Sequence, residues 1–495
     1  MAIRNGAQFT EGLRYRPREV WVRGERVKDV STHAAFAGSV HQLARLYDMQ
    51  HDPAHQDILT YRIPETQELA ATAFMPSYVH ADLVKHRHAY RLWAETNFGL
   101  MGRSPDFLNV TLLAFFEGRE LFAEGGAQFA DNVSAYYRYV RDGDLFLSHA
   151  LVSPQNDRSK QSSELGNLHL RVIKERDDGI IVSGARMIGT LGPVADEMLV
   201  YNLPGLKPGD DNHAISFAIP MDAPGLRQIC REPYDAPNRT SFDHPLSTRF
   251  EENDSLLIFK EVFVPWERVF CYRNVSLANR IYIDSALRNH TAHQTNVRAL
   301  TKMQFVTGLC IAIARSIKAD QFLHVQKMLG ELVCDVEFVK SGIVRSEVEA
   351  EPTSVGTIRP SLPPLQALRS YLPRAYPRAI EYLQTIGAGG FMLMPTGADF
   401  GVPEINEDMS AHYVGADGMG SLERVRLFKL AWDLAGEAFG QRLVQYERYY
   451  AGDPVRTLAA TYLGGEHSEM AALVKAALAL GGEPSSPRHT ALAVA

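Results

Sequence analysis

Apolar residues recur at three- and four-residue spacing through AGSVHQLARLYDMQ (37–50), VKHRHAYRLWAETNFGLM (84–101) and QFADNVSAYYRYVRDGD (128–144). That period predicts amphipathic helices, and strand-like alternation is scarce there. Near residue 146 the texture changes to short runs rich in Val, Ile and Phe: FLSHALV, LHLRVIKERDDGIIVSGARMIG, EMLVYNL, HAISFAIPM and LLIFKEVFVPWERVF. Gly, Pro, Asp and Asn separate these runs, so they read as strands, and VIKERDDGIIV reads as a hairpin with DDG at its tip. From about 285 the helical period returns in VRALTKMQFVTGLCIAIARSIKA, in FLHVQKMLGELVCDVEFVKSGIVRSEVEAE and in LERVRLFKLAWDLAGEAFGQRLVQYERYYAG. Helices of this length with broad apolar faces pack as bundles. The Pro-rich stretch EPTSVGTIRPSLPPL (351–365) connects two of them.

The order of elements predicts an α+β protein in three parts. These are an N-terminal α-helical domain (1–145), a middle β domain (146–278) and a C-terminal four-helix-bundle domain (279–480). The last residues, 481–495, have no period and read as a flexible tail. A chain of 495 residues is long enough for several cores.

Composition narrows the function. Apolar residues make up 45% and charged residues 22%, the balance of a soluble globular protein. The 51 basic and 58 acidic side chains are interspersed, which leaves no basic face for nucleic acid. Cys230, Cys271, Cys310 and Cys334 are scattered, without the close pairs of a zinc site or a redox dithiol, and read as reduced thiols in a cytoplasmic protein. No leader-like segment opens the chain, and no run of about 18 uninterrupted apolar residues suggests a membrane span. There is no G-x-G-x-x-G, no G-x-x-x-x-G-K-[ST], no G-x-S-x-G and no H-E-x-x-H. His86 and His88 stand two apart on a helix and diverge, so no metal site is expected.

Three stretches carry the candidate chemistry. In HALVSPQNDR (149–158) a strand ends in His149, turns at Pro154, and then presents Gln155, Asn156, Asp157 and Arg158. Amides suit the edge of a flat heterocycle, and Arg suits a phosphate or an anionic substrate. In GARMIGTLGP (184–193), Thr190 lies at a strand end among glycines. In GRSPD (102–106), Arg103 sits where Pro105 interrupts a helix, well placed to face a cleft. Arg249 and Asp254, in STRFEENDS, read as surface charges.

Helices, then strands, then helices resemble the acyl-CoA dehydrogenase-like flavoprotein fold, whose middle part is a β barrel. With GRSPD, HALVSPQNDR and GARMIGTLGP in this order, the chain resembles the 4-hydroxyphenylacetate 3-monooxygenase oxygenase-component family from NGAQFTEGLR (5–14) through AFGQRLVQYERYYAGD (438–453). The resemblance implies a homotetrameric two-component system. A separate flavin reductase supplies reduced FAD, which reacts with O2 through a flavin hydroperoxide to turn a small phenol, free or carrier-tethered, into a catechol. It further implies that Arg103 and His149 lie in the substrate pocket as catalytic groups, with Phe107 lining it. His149, Gln155, Asn156, Asp157, Arg158 and Thr190 lie along the flavin, and Glu437, Ala438, Phe439 and Gly440 approach it. Chlorophenol-type relatives place a histidine from the 290 region near the flavin, so His290 and His293 are candidates, with His293 preferred as a base. Members that act on simple phenols carry Tyr where this chain has Phe107, so a hydroxyl donor is missing there. Rival chemistries on this scaffold are an N-hydroxylase, a dehalogenating phenol monooxygenase, or an acyl-CoA dehydrogenase-like oxidase with Glu423 or Glu437 as its base. From another class, the chain could be a binding protein.

Overall fold

The computed structural model describes residues 3–235 and 238–480. The tail expected at 481–495 lies outside the described residues. In chain order the strands are β1 (Glu19–Val22), β2 (Glu25–Arg26), β3 (Thr60–Arg62), β4 (Leu69–Ala71), β5 (Leu147–Ala150), β6 (Arg171–Arg176) and β7 (Gly179–Thr190). They continue with β8 (Glu197–Val200), β9 (Ile215–Pro220), β10 (Leu226–Cys230), β11 (Asp254–Pro265), β12 (Val269–Tyr272), β13 (Glu351–Pro352) and β14 (Ile358–Arg359).

Two sheets form the middle of the molecule, one in the order β2-β1-β10-β11-β7-β6 and the other in the order β12-β9-β8-β5. The burial of each strand explains its place. β5 and β8 are buried at every position, and β9 at all but its last. Such continuous apolar runs suit a sheet covered on both faces. β7 alternates over most of its length, as expected of a strand with one face inward. The hairpin read from VIKERDDGIIV is present as β6 and β7, with Arg176 opposite Gly179 across the Asp177–Asp178 turn. A Cβ on Gly179 would lie 2.2 Å from the Val264 carbonyl oxygen, so a side chain there would push β11 away.

Two expectations need correction. Among the described residues the sheets do not close into a barrel: both are open, and outside the named ladders a single bridge, Val152 to Met187, joins β7 to the chain just past β5. At one edge β2 is only two residues long, and at the other the last four residues of β6 are exposed and include three charges. Short and charged edges resist further pairing. Nor is the N-terminal part wholly helical, because β1 enters the large sheet parallel to β10, Glu19 opposite Arg227. EVWV is too short to stand out locally, and its partner lies some 200 residues further on.

The C-terminal part is a bundle of Leu287–Ser316, Leu323–Val348 and Leu362–Gly387 with a fourth position filled by two shorter helices, Ser421–Ala435 and Ala438–Tyr449. The Leu287–Ser316 helix reaches a mean hydropathy of 1.3 over 18 residues, and 67% of that window is buried, which marks it as a core helix. It nevertheless carries two buried cations. Arg298 Nη1 and Lys302 Nζ donate to Glu447 Oε1 at 2.9 and 2.7 Å, and all three side chains are about 1% exposed. Arg298 also donates to the Gly99 carbonyl at 2.9 Å, which ties the bundle to the N-terminal part. Burial works against the charge on Glu447, but the two cations win and hold its carboxyl at about 2.

Glu447→Gln leaves two cations in the core without a counter-charge and is expected to cost about 3–5 kcal/mol. Lys302→Met, which keeps the Arg298–Glu447 pair, is expected to cost less; thermal midpoints of the two variants decide the order. Because Glu447 is more acidic folded than unfolded, its contribution is complete above its unfolded value near pH 4.3 and is lost as pH falls toward about 2. Between those limits wild type should therefore lose midpoint faster than Glu447→Gln.

Candidate active site

The loop from Asn97 to Ser104 joins the His80–Glu95 helix to the Pro105–Glu117 helix. Pro105 opens the second helix at a position where the missing N–H costs nothing. A Cβ on Gly102 would lie 2.1 Å from the Tyr446 hydroxyl, so glycine lets the Ala438–Tyr449 helix press directly on this loop. Arg103 comes next and points inward, only 8% exposed.

Every side-chain partner of Arg103 among the described residues is neutral. Its Nε donates to His149 Nε2 at 3.2 Å, and its Nη1 donates to the Gly102 carbonyl at 3.0 Å and to the Tyr446 hydroxyl. The guanidinium stacks 4.2 Å from the Phe107 ring centre. His149 meets Phe107 edge-on at 5.4 Å and lies 6.3 Å from the Tyr201 ring. Because Arg can only donate, Nε2 of His149 must accept, and Nδ1 carries the proton. That Nδ1 is buried with no partner among the described residues. Burial and the adjacent guanidinium push His149 well below its ordinary value, so the ring is neutral at physiological pH.

Beside this pair lies a second set of charges, in which two arginines meet three carboxylates. Arg442 donates to Glu252 at 3.0 Å and to Asp254 at 2.7 Å, and Arg231 joins Glu251 and Asp254 at 2.7 and 3.1 Å. Glu252 also accepts the Arg103 backbone N–H at 2.7 Å. The expectation that Asp254 is a surface charge is wrong: burial opposes its ionisation, but Arg442 and Arg231 hold its carboxyl at about 2. Thr190 is drawn into the same cluster, its hydroxyl donating to Asp254 Oδ1 at 2.8 Å. Ser148 bonds the Thr190 carbonyl at 2.8 Å, which fixes the end of β7 against β5.

The segment after β5 behaves differently. Gln155, Asn156 and Arg158 are exposed, and their side chains take no hydrogen bond or ion pair among the described residues. Asp157 closes a local turn, accepting from the Ser159 amide and hydroxyl at 3.0 and 2.6 Å. Next to the segment is a hollow of about 350 Å³ lined by Pro154, Asn156, Ser183, Ala185, Leu256 and Ile258. Of the segment's polar side chains only Asn156 is in that lining, which also includes Lys260; apolar walls with a free amide and a cation fit a flat heterocycle carrying phosphate, as FAD does. Of the bundle positions, Phe439 and Gly440 are buried, and a Cβ on Gly440 would lie 1.8 Å from the Leu434 carbonyl oxygen. Glu437 pairs with Arg239 at 3.3 Å, and Ala438 is exposed at the start of its helix.

His290 and His293 are not joined to Arg103, His149 or Phe107 by any hydrogen bond or ring contact. His290 bonds Glu117 at 2.7 Å, and His293 bonds Glu347 at 2.8 Å, deep among four helices. Glu347 also takes Arg87 at 2.9 Å. A helix-face argument shows that both histidines are turned inward but not which neighbouring helix receives them. Sequence reasoning also missed Tyr201, Glu252, Arg442 and Tyr446. Tyr446 stands in the quoted stretch QRLVQYERYY, where its period marked it only as core.

Known proteins match the chain over nearly its whole length. Residues 5–271 match the family model described as 4-hydroxyphenylacetate 3-hydroxylase N terminal, and residues 278–479 match its C-terminal counterpart. The chain is 40% identical over 464 residues to the 4-hydroxyphenylacetate 3-monooxygenase oxygenase component of Thermus thermophilus, covering 93% of this chain and 94% of that one. It is 34% identical to a Streptomyces globisporus monooxygenase of a carrier-protein-bound 3-chloro-4-hydroxyphenyl amino acid, covering 91% of this chain and 85% of that one. A crystal structure of an oxygenase component of 4-hydroxyphenylacetate 3-monooxygenase, complexed with FAD and 4-hydroxyphenylacetate, superposes with a TM-score of 0.91 at 39% identity over 96% of this chain and 98% of that one. The α+β arrangement expected from the order of elements, helices then strands then helices, is thus found. By sequence and by structure, the chain belongs to the 4-hydroxyphenylacetate 3-hydroxylase family.

Proposed function

We propose that this protein is the oxygenase component of a two-component flavin monooxygenase that hydroxylates a small phenol ortho to its hydroxyl and releases a catechol. One observation carries the reading. Arg103 is buried, and among the described residues its guanidinium is bonded only to neutral groups, so it offers a positive charge that an oxyanion would neutralise. A phenol entering between Arg103 and His149 is favoured as its phenolate, and the phenolate makes the ortho carbon nucleophilic. His149 holds a proton at Nδ1 that still lacks an acceptor and, being neutral, adds no competing charge. The relatives' names and the complex with FAD and 4-hydroxyphenylacetate support the same chemistry.

When bound, reduced FAD supplied by a separate reductase delivers one oxygen atom of O2 to that carbon. Gln155, Asn156 and Arg158 are free to hold it by hydrogen bonds and charge, with Asp157 keeping their turn in shape. Thr190 has committed its proton to Asp254, so it serves an incoming N–H as an acceptor. Glu437 and Ala438 stand at the rim, and Phe439 and Gly440 act through packing. His290 and His293 have no part in this reading, since a carboxylate already occupies each of them. Three buried free thiols and one exposed one suit a reducing cytoplasm.

The Ser468–Ala479 helix has no buried residue in the single chain, yet Met470, Leu473, Val474 and Leu478 recur on one face of it. An apolar stripe left bare on this scale supports assembly through the bundle, and a tetramer is the proposed state.

Arg103→Met, assayed with a generic reductase, FAD and a panel of 4-substituted phenols, is expected to lower kcat/KM by about 10²–10³-fold. A loss of less than threefold would overturn the pocket assignment. Phe107→Tyr adds a donor beside the same oxygen and is expected to raise turnover of simple 4-substituted phenols several-fold, the size of one hydrogen bond of about 1 kcal/mol. Leu473→Asp with Val474→Asp should lower the mass measured by light scattering; an unchanged mass would count against that helix as the interface.

A further inference from the structure

Arginine only donates, and its guanidinium hydrogens point in fixed directions from Nε, Nη1 and Nη2. In Arg103 these donors are shared out unevenly. Nε gives its hydrogen to His149 Nε2 at 3.2 Å, and the two on Nη1 go to the Gly102 carbonyl at 3.0 Å and to the Tyr446 hydroxyl. Nη2 donates to nothing among the described residues, so it is the edge of the group left for a ligand. Where that edge faces depends on how Nη1 is held. Gly102 is the neighbour in the chain and moves with Arg103, whereas Tyr446 belongs to the Ala438–Tyr449 helix of the bundle. With His149 on Nε, Tyr446 gives the guanidinium a second fixed point outside its own loop, and a planar group held at two points cannot rotate.

Tyr446 is itself firmly seated. The cations of Arg442, Arg103, Arg298 and Lys302 lie 5.0, 5.3, 5.7 and 5.9 Å from its ring centre, and the ring stacks on Tyr450 at 6.1 Å. Glu447, the next residue, is held by Arg298 and Lys302. The Tyr446 hydroxyl stays neutral, because burial pushes its ionisation upward against the pull of Arg103 and Arg298. It therefore holds the guanidinium without cancelling its charge, as a carboxylate in the same place would. Glu252 and Glu447 are the carboxylates whose charge reaches Tyr446, and both are engaged elsewhere. Glu252 takes Arg442 and the Arg103 backbone N–H, and Glu447 takes Arg298 and Lys302.

We infer that Tyr446 is a positioning residue for the hydroxylation: its hydroxyl fixes the rotation of the Arg103 guanidinium so that Nη2 presents its N–H groups to the phenol oxygen. The inference rests on the proposed hydroxylase reading and deepens it. Tyr446 acts through Arg103 and needs no contact with substrate. In Tyr446→Phe the ring and its cation contacts remain and only the hydroxyl goes. The freed guanidinium can then turn toward Glu252 and spend its charge there.

The test uses the full-length protein with 4-nitrophenol, whose anion has its own visible absorption band. Its ionisation when bound is titrated without reductase, against a matched sample that holds FAD but no phenol. Wild type should lower the ionisation of the bound phenol by at least about one pH unit, a tenfold preference for the anion. Tyr446→Phe should lose at least half of that shift while keeping a thermal midpoint close to wild type; Tyr446→Leu, which also removes the ring, should lower the midpoint as well. In turnover with reductase, FAD and 4-hydroxyphenylacetate, Tyr446→Phe should lower kcat about tenfold with KM within about threefold. The deficit should narrow as pH rises toward the phenol's own ionisation, where the anion forms without help. An unchanged nitrophenol shift in Tyr446→Phe would overturn the inference, as would the lack of any shift in wild type or a kcat deficit that is the same at every pH. Should wild type turn over no phenol, the hydroxylase reading falls, while the nitrophenol titration still decides Tyr446.

Discussion

The site depends on one uncompensated charge. The buried guanidinium of Arg103 is held by an imidazole, a carbonyl and a tyrosine hydroxyl, all neutral. Taking a guanidinium out of water is expensive, and a protein normally meets that cost with a carboxylate. Glu252 is close enough to do so, yet it spends its oxygens on the Arg103 backbone amide and on Arg442. The cation is thus fixed in place without being neutralised, which leaves its field for a ligand oxyanion.

Holding such a charge requires rigid surroundings. The cluster of Arg442, Arg231, Glu251, Glu252 and Asp254 joins β10 and β11 to the last helix of the bundle. The Arg298–Lys302–Glu447 cluster ties the same helix to the long core helix and to the loop before Arg103. Tyr446 stands between the two clusters, and Gly102 is small enough to receive it. Three parts of the chain, far apart in sequence, therefore meet at one residue. The exposed turn at 155–158 has none of these ties.

Much of this was legible in the sequence. Period alone separates the helical, strand-rich and helical parts, because the 3.6-residue and two-residue repeats are local properties of the backbone. GRSPD, HALVSPQNDR and GARMIGTLGP are local as well, so Arg103, His149, Gln155, Asn156, Arg158 and Thr190 could be singled out by number. What the sequence did not decide was pairing at a distance. EVWV joins a strand some 200 residues later, Asp254 is drawn partly inward by Arg442 and Arg231, and His290 and His293 turn toward carboxylates on other helices. Whether a charged side chain is surface, structural or catalytic depends on whether a counter-charge stands within a few ångströms of it. That distance is set by tertiary packing, which brings together residues that one-dimensional spacing keeps apart.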